Sequence, residues 1–121
     1  PYAYTFIEPS YGEIRGTPAT YEGGSSQHPQ DGLKAGDDLV RHVYQLIRQS
    51  KVWDNSLLII TYDEHGGFYD SVKPGAAIPP GDTPPDLLNQ HGFDFSVLGV
   101  RVPAILVSPW VQKGKVDSTQ Y

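Results

Sequence analysis

The sequence predicts an α/β fold with a mainly parallel central sheet and long loops, and two features of the chain carry this prediction. Residues 57–60 (L-L-I-I) form an apolar run without the alternation of a half-exposed strand, which is typical of a strand covered on both faces in a parallel sheet. An amphipathic helical pattern and a short link precede this run. Helix, link and apolar strand in this order form half of a βαβ unit.

Composition narrows the class of protein. The 121 residues suit one domain, and a formal charge of -5 argues against a nucleic-acid partner, since no basic stripe is present to neutralise phosphates. Without cysteine, the chain has no disulfides, thiolate metal sites or cysteine nucleophiles. No apolar run approaches the roughly 20 residues that span a bilayer, so no transmembrane segment is expected.

The first 35 residues predict a strand followed by a long loop. Residues 2–7 (Y-A-Y-T-F-I) are mostly aromatic or β-branched, and the predicted strand ends at Glu8 because a proline follows it. Residues 10–35 show no hydrophobic period, and a loop of that length is usually functional or disordered. The loop contains His28 in the sequence S-S-Q-H-P; a lone histidine in a polar loop is more often exposed and without a role.

Residues 37–50 predict the helix. Their apolar residues recur with the 3.6-residue period of one helix face, while Arg41 and His42 fall off this stripe and are expected to face solvent. Gly36 and Asp37 are candidate caps, and acids in the first turn suit the helix dipole. The link to the apolar run carries a tryptophan that is expected to be a packing anchor.

The C-terminal part predicts one further strand. Residues 68–72 resemble extended chain, and residues 73–89 form a proline-rich loop. Residues 92–99 alternate apolar and polar side chains, which indicates either a half-buried strand or a loop that tucks its aromatics inward. Residues 104–107 (A-I-L-V) are a second apolar run and predict another buried strand.

The most informative side chains follow the run at 57–60. Parallel strands bind ligands at their carboxyl ends, and this strand delivers the adjacent carboxylates Asp63 and Glu64 to that edge. Two neighbouring carboxylates repel each other when desolvated, and a bound divalent cation would relieve that repulsion. Gly66 and Gly67 would allow the turn that brings both to one ion. The alternative is a solvated acidic turn after a core strand.

Two long blocks of the sequence carry a family resemblance. Residues 53–70 read W-D-N-S-L-L-I-I-T-Y-D-E-H-G-G-F-Y-D, and residues 98–111 read L-G-V-R-V-P-A-I-L-V-S-P-W-V. Upstream stand S-Q-H-P at residues 26–29 and I-E-P at residues 7–9. Together these motifs resemble the C-terminal half of the phosphoesterase family, which includes bacterial and fungal phospholipases C and related acid phosphatases.

This resemblance implies a fold, a domain boundary and a reaction. The fold implied is part of an alkaline-phosphatase-like α/β/α sandwich, with residues 1–121 forming a single partial phosphoesterase domain. The family's N-terminal half, which carries a Glu-Asn metal motif and a Ser or Thr nucleophile, is expected to be absent from this chain and is a candidate partner. The reaction implied is metal-assisted hydrolysis of a phosphate ester, of the phospholipase C or acid phosphatase type.

The resemblance also assigns site residues. Asp63 and Glu64 match an acidic pair at the metal or phosphate centre, and His28 matches a histidine that reaches into the same site. Such a histidine can bind a phosphate oxygen or protonate the leaving group. The remaining substrate-binding or supporting positions are Glu8, His65, Gly66, Gly67 and Asp70.

The tripeptide that begins at Asp70 departs from the family pattern. Asp70 matches the aspartate of a family D-H-V tripeptide, whose histidine is replaced here by Ser71.

Glu8, at a strand end, would point to the same sheet edge as Asp63 if the two strands are parallel neighbours.

The metal and the natural ester stay open at this point. Oxygen ligands with one or two imidazoles suit Mn²⁺, Ca²⁺, Mg²⁺ or Zn²⁺, and the expected substrate is a phosphate ester or phospholipid. A secreted or periplasmic location follows from family analogy alone. Two alternatives remain: a non-catalytic metal- or phosphate-binding module or inactive fragment, and a sulfatase-like or phosphonate-cleaving member of the same fold.

Overall fold

A computed structural model describes residues 3–16, 20–30, 32–82 and 91–119. Its regular elements are, in chain order, β1 (Glu13–Arg15), β2 (Thr20–Glu22), α1 (Lys34–Arg48), a 3₁₀ turn (Trp53–Asn55), β3 (Leu58–Thr61) and β4 (Ala104–Val107). The chain is therefore a small α/β structure, whereas the alkaline-phosphatase-like sandwich stays a prediction. Two compact units are present, Pro1–Ile60 with Ile105–Tyr121, and Thr61–Ala104.

The predicted long loop at residues 10–35 contains a short hairpin. β1 and β2 pair in antiparallel register, with Glu13 opposite Glu22 and Arg15 opposite Thr20. The prediction of one long loop missed these strands because strands of three residues are too short to show a period-2 pattern. Residues 17–19, between the two strands, lie outside the described residues.

The predicted first strand is also wrong over residues 3–7, which form irregular chain. Tyr4 and Phe6 are 79% and 73% exposed, and no neighbouring strand pairs with this segment among the described residues. Aromatic and β-branched residues favour strands because they pack against side chains of a neighbouring strand. Without such a strand, their propensity alone does not produce strand pairing. Tyr2 lies outside the described residues.

The predicted helix is confirmed as α1, which begins three residues earlier than expected and ends at Arg48. Asp37 lies in its first turn and Arg48 in its last, the arrangement that the helix dipole favours. Leu33 is the N-cap and provides no side-chain hydrogen bond, so the predicted caps at Gly36 and Asp37 were placed too late. Arg41 is exposed, as expected.

One face of α1 packs in the first unit. Four residues of its apolar stripe are half-buried: Leu39, Val40, Val43 and Ile47. Trp53, in the 3₁₀ turn, meets Tyr44 edge to face with ring centroids 6.3 Å apart, and the Arg48 guanidinium lies 5.0 Å from the centroid of the tryptophan ring. Trp53 is thus the anchor that closes the link onto the helix.

β3 and β4 are hydrogen-bonded neighbours in a two-stranded sheet. Their bounds agree with the predicted strands to within a residue, but their burial does not. Leu58 and Ile60 are half-buried while Ile59 is 56% exposed, so β3 alternates instead of being covered on both faces. Among the described residues no hydrophobic side chain is fully buried. The mainly parallel sheet stays a prediction.

The second unit consists mostly of loops in its described part. Residues 92–99 form the predicted loop alternative with one antiparallel bridge, between Ala76 and Val97. The Phe93 and Phe95 rings meet edge to face at 4.9 Å and are both about half exposed. Residues 68–72 form no strand, and residues 83–90 lie outside the described residues.

Candidate functional site

The sequence D-E-H-G-G follows β3 as a compact turn in the second unit. Gly66 and Gly67 have φ angles of 67° and 74°, in the left-handed region that glycine enters without steric cost. The Phe68 amide donates a hydrogen bond of 3.3 Å to the His65 carbonyl and closes the turn. The glycine pair thus forms the turn after β3, while its role beside a bound ion or substrate stays a prediction.

Both carboxylates fold back onto backbone amides of the turn. Oδ1 of Asp63 accepts the Glu64 N–H at 3.0 Å, and Oε2 of Glu64 accepts the Gly66 N–H at 2.8 Å. Nδ1 of His65 lies 3.4 Å from the same Glu64 oxygen, an ion pair when the imidazole is protonated. Among the described residues, the second oxygens of Asp63 and Glu64 take part in no hydrogen bond, so each carboxylate has one oxygen available to a ligand.

These carboxylates are exposed to solvent, with the Glu64 side chain 57% exposed. Because water already solvates them, desolvation does not force a cation between them, and the geometry of the isolated turn matches the alternative of a solvated acidic turn. A metal at this position remains a prediction that depends on the donor chemistry and on the family resemblance.

The donor set fits part of a site for a hard divalent cation. Asp63 and Glu64 are adjacent in sequence, lie on one turn and present oxygen donors, which Mg²⁺, Ca²⁺ and Mn²⁺ prefer. No group of three or more His, Asp or Glu with ligand spacing occurs in the described ranges. The turn would therefore supply two of the ligands of such an ion.

Asp70 is held by a bidentate ion pair. Nε and Nη2 of Arg101 donate to its two oxygens, each at 2.8 Å, and the Val72 amide donates to Oδ1 at 2.9 Å. The hydrogen bonds from Arg101, and then that from Val72, lower the pKa of Asp70 from 3.8 to about 2. The Asp70 side chain is 14% exposed and its oxygens are bonded to protein groups. This arrangement favours a supporting role for Asp70 over direct substrate binding.

His28 lies in the first unit, on a loop fastened at two places. Toward the N-terminus, the Ser25 amide donates to the Ser10 carbonyl at 2.7 Å, and Oγ of Ser25 accepts the Ser10 amide at 3.0 Å. Toward α1, Nε2 of Gln27 donates to Oδ1 of Asp37 at 2.6 Å. These contacts fix the backbone on the N-terminal side of His28.

The imidazole of His28 is half-buried and oriented by its own loop. Its Nδ1 accepts a hydrogen bond from the Gln30 amide at 3.4 Å. In a neutral imidazole, a ring nitrogen that accepts a hydrogen bond carries no proton, so the N–H donor is the other nitrogen. The Gln30 amide therefore orients the His28 ring through Nδ1.

Glu8 does not lie at a strand end, since residues 3–7 form no strand. Its carboxylate accepts a hydrogen bond of 3.2 Å from the Tyr11 hydroxyl in the first unit. The prediction that Glu8 shares a sheet edge with Asp63 was therefore wrong in its premise. A contribution of Glu8 to substrate binding stays a prediction.

Sequence reasoning missed two positions that organise the candidate residues. Arg101 pairs with Asp70, and its signal was its place in the block L-G-V-R-V-P, which carried the family resemblance. Gln27 ties the histidine loop to α1, and its signal was its place directly before His28. Pattern analysis treats such polar side chains as solvated because their partners are distant in sequence.

The sequence of this chain is similar to a family model and to several known proteins. The family model described as phosphoesterase family matches residues 3–121. Non-specific phospholipase C6 of Arabidopsis thaliana is 48% identical over 117 residues, which cover 94% of this chain and 21% of the relative.

More distant relatives show the same relationship. Non-specific phospholipase C1 of Arabidopsis thaliana is 42% identical over 93% of this chain and 20% of its own length. Hemolytic phospholipase C of Pseudomonas aeruginosa is 32% identical over 76% of this chain and 14% of its own length. The chain spans about a fifth of the length of the plant relatives it matches. Within the described residues of this chain, no helix is long and apolar enough to cross a membrane.

Proposed function

Because this chain belongs to the phosphoesterase family, we propose that the protein hydrolyses phosphate ester bonds and that its substrates are phospholipids, as in a phospholipase C. The observation that carries the proposal is 48% identity to a non-specific phospholipase C over 94% of the chain, a range that includes both the acidic turn and the histidine loop. A phospholipid is favoured over a soluble phosphate monoester because the relatives compared are named phospholipases.

Asp63 and Glu64 are proposed to bind a divalent cation through the oxygens that are not bonded to the amides of the turn. A cation there would offset the negative charge that develops on the non-bridging phosphate oxygens. The turn keeps the two carboxylates in place through the amides of Glu64 and Gly66, so that little ordering is needed when a ligand arrives.

His28 is proposed to donate its Nε2 proton to the substrate. Such a proton either stabilises a phosphate oxygen or goes to the leaving alkoxide of the diacylglycerol. The hydrogen bond from the Gln30 amide to Nδ1 supports this role because a neutral imidazole that accepts at Nδ1 carries its proton on Nε2. The attacking nucleophile is proposed to come from residues of the longer protein outside this segment, since the relatives are about five times as long.

The test is turnover by the full-length protein. Release of phosphocholine from phosphatidylcholine vesicles and of p-nitrophenol from its phosphate ester is measured with and without EDTA, followed by addition of Mn²⁺, Ca²⁺, Mg²⁺ or Zn²⁺ singly. The proposal expects release that EDTA abolishes and one of the cations restores. Cleavage of p-nitrophenyl sulfate but not of the phosphate would instead favour a sulfatase-like enzyme.

The same preparation distinguishes a non-catalytic module. Isothermal titration calorimetry measures binding of Mn²⁺, Ca²⁺ and inorganic phosphate to the full-length protein. Binding without any turnover would replace the hydrolase proposal with a metal- or phosphate-binding module. Secretion or a periplasmic location stays a proposal made by analogy with the family alone.

A further inference from the structure

The segment that carries the acidic turn is fastened at both ends to one short stretch of the second unit. On its N-terminal side, Oγ1 of Thr61 donates a hydrogen bond of 3.1 Å to the Pro103 carbonyl. On its C-terminal side, Asp70 forms its two-pronged pair with Arg101, at 2.8 Å for each contact. The residues between Thr61 and Asp70, which include both candidate metal ligands, therefore form a loop whose two ends are tied to residues 101–103.

The two ties differ in strength. At Thr61, the last residue of β3, the side-chain tie is one neutral hydrogen bond beside the pairing of β3 with β4. At Asp70 the tie is a charge-assisted pair of parallel bonds, each about twice as strong, which fixes the relative orientation of the two groups. Asp70 is also the less exposed partner, with its side chain 14% exposed against 65% for Arg101. The bidentate geometry requires the planar guanidinium, which lysine lacks.

We propose that Arg101 is a positioning residue of the phosphoesterase site, which holds the turn with Asp63 and Glu64 in its binding geometry through Asp70. The inference rests on the proposed function for the identity of the site, and on the two ties for the mechanism. Of the described hydrogen bonds to the Asp70 side chain, removing the guanidinium leaves that from the nearby Val72 amide, so the C-terminal end of the loop is released. A displacement of about 1 Å at catalytic groups costs up to about 100-fold in rate.

The test uses the full-length protein with Arg101→Gln, Arg101→Lys, Asp70→Asn and the double variant Asp70→Asn/Arg101→Gln. We expect Arg101→Gln to lower kcat by about tenfold or more with a much smaller change in KM, because the pair positions groups and does not touch substrate. Arg101→Lys restores part of the loss. The double variant is no slower than the worse single variant, as for two residues that act through one contact.

A matched control separates this effect from the loss of any surface charge. Arg41 pairs with Asp38 at 2.9 Å on α1 and is 63% exposed, close to the exposure of Arg101. Arg41→Gln is expected to leave kcat and KM unchanged. Equal rates for wild type and Arg101→Gln, or independent additive losses in the double variant, would overturn the proposal. If Arg101→Gln does not fold, Arg101→Lys is measured in its place. A kcat below that of the wild type then supports the proposal, and a wild-type kcat overturns it.

A second readout keeps this inference separate from the proposed function. Millisecond hydrogen exchange of peptides covering residues 61–72 reports the Glu64 and Gly66 amides, which donate to the two carboxylates. Arg101→Gln is expected to accelerate their exchange, and Arg41→Gln is not. If the wild-type protein hydrolyses no ester, the proposed function fails while this exchange result still decides on the positioning role: unchanged exchange overturns it.

Discussion

Nε2 of Gln27 donates a hydrogen bond of 2.6 Å to Oδ1 of Asp37 and ties the loop before His28 to the first turn of α1. Gly36, beside that aspartate, is buried against the same loop. A Cβ atom at position 36 would lie 2.4 Å from Cγ of Gln27 and 3.1 Å from the Ser26 carbonyl oxygen. The helix and the histidine loop therefore meet at a point that admits no side chain.

Gly36→Ala is expected to destabilise the protein by about 1–3 kcal/mol through overpacking, although alanine is the better helix former. The loop would shift and carry His28 with it, so kcat is also expected to fall. Thermal unfolding and phosphocholine release measure the two effects. Gly32→Ala is the control, since nothing lies within 4 Å of the added atom. A Gly36→Ala variant as stable and active as wild type would contradict close packing between Gly36 and the histidine loop.

His28→Gln is expected to lower kcat by about 100- to 10,000-fold, the range for loss of a general acid or base. Glutamine still offers an N–H donor, so a much smaller loss would indicate that His28 only binds a phosphate oxygen. The measurement is kcat for phosphocholine release between pH 5 and 9. His42→Gln serves as control, because His42 is exposed on α1. Wild-type turnover in His28→Gln would remove this residue from the site.

Gly67→Ala is expected to destabilise the acidic turn by about 1–2 kcal/mol, the cost of a left-handed backbone for a residue with Cβ. The φ angle of 74° is responsible, because the space around Gly67 is open. Gly67→Asn should cost less, since asparagine enters this region more readily. Gly99→Ala, also in open space but without positive φ, is the control. Equal stability of the Gly67 and Gly99 alanine variants by urea unfolding would contradict this account.

The pair between Asp70 and Arg101 predicts a defined pH dependence. The folded-state pKa of Asp70, about 2, lies below its ordinary value of 3.8, so the stabilisation is fully present above about pH 4 and is lost as the pH falls through about 2. The difference in free energy of unfolding between wild type and Asp70→Asn should be constant from pH 7 to pH 4. Urea unfolding at several pH values measures it. A difference that vanishes between pH 7 and pH 5 would contradict the ion pair.

Local elements were predictable from the sequence where a single pattern decides them. The 3.6-residue period placed α1, and the runs L-L-I-I and A-I-L-V placed β3 and β4 to within a residue. The burial of those strands was not predictable, because it depends on what covers each face and an apolar run does not encode that. The aromatic segment at residues 3–7 shows the same limit, since strand propensity acts only beside a partner strand.

In the candidate site, too, the local turn was predictable and the contacts between distant residues were not. The turn at Gly66 and Gly67 was predictable because left-handed backbone selects glycine. The partners of Asp70 and Gln27 were not, because Arg101 lies 31 positions from Asp70 and Asp37 lies 10 positions from Gln27. Neither a hydrophobic period nor a local motif links such pairs, so only the folded chain reveals them.

The acidic turn is the centre of the proposed activity, and its two carboxylates give the most direct test. Phosphocholine release from phosphatidylcholine is measured for full-length wild type and for the Asp63→Ala/Glu64→Ala variant at equal concentration, with the Mn²⁺, Ca²⁺, Mg²⁺ or Zn²⁺ that best supports the wild type. Loss of cation-dependent release in a variant that still folds is the predicted result. Release at the wild-type rate would contradict the proposal that these residues form the reaction centre.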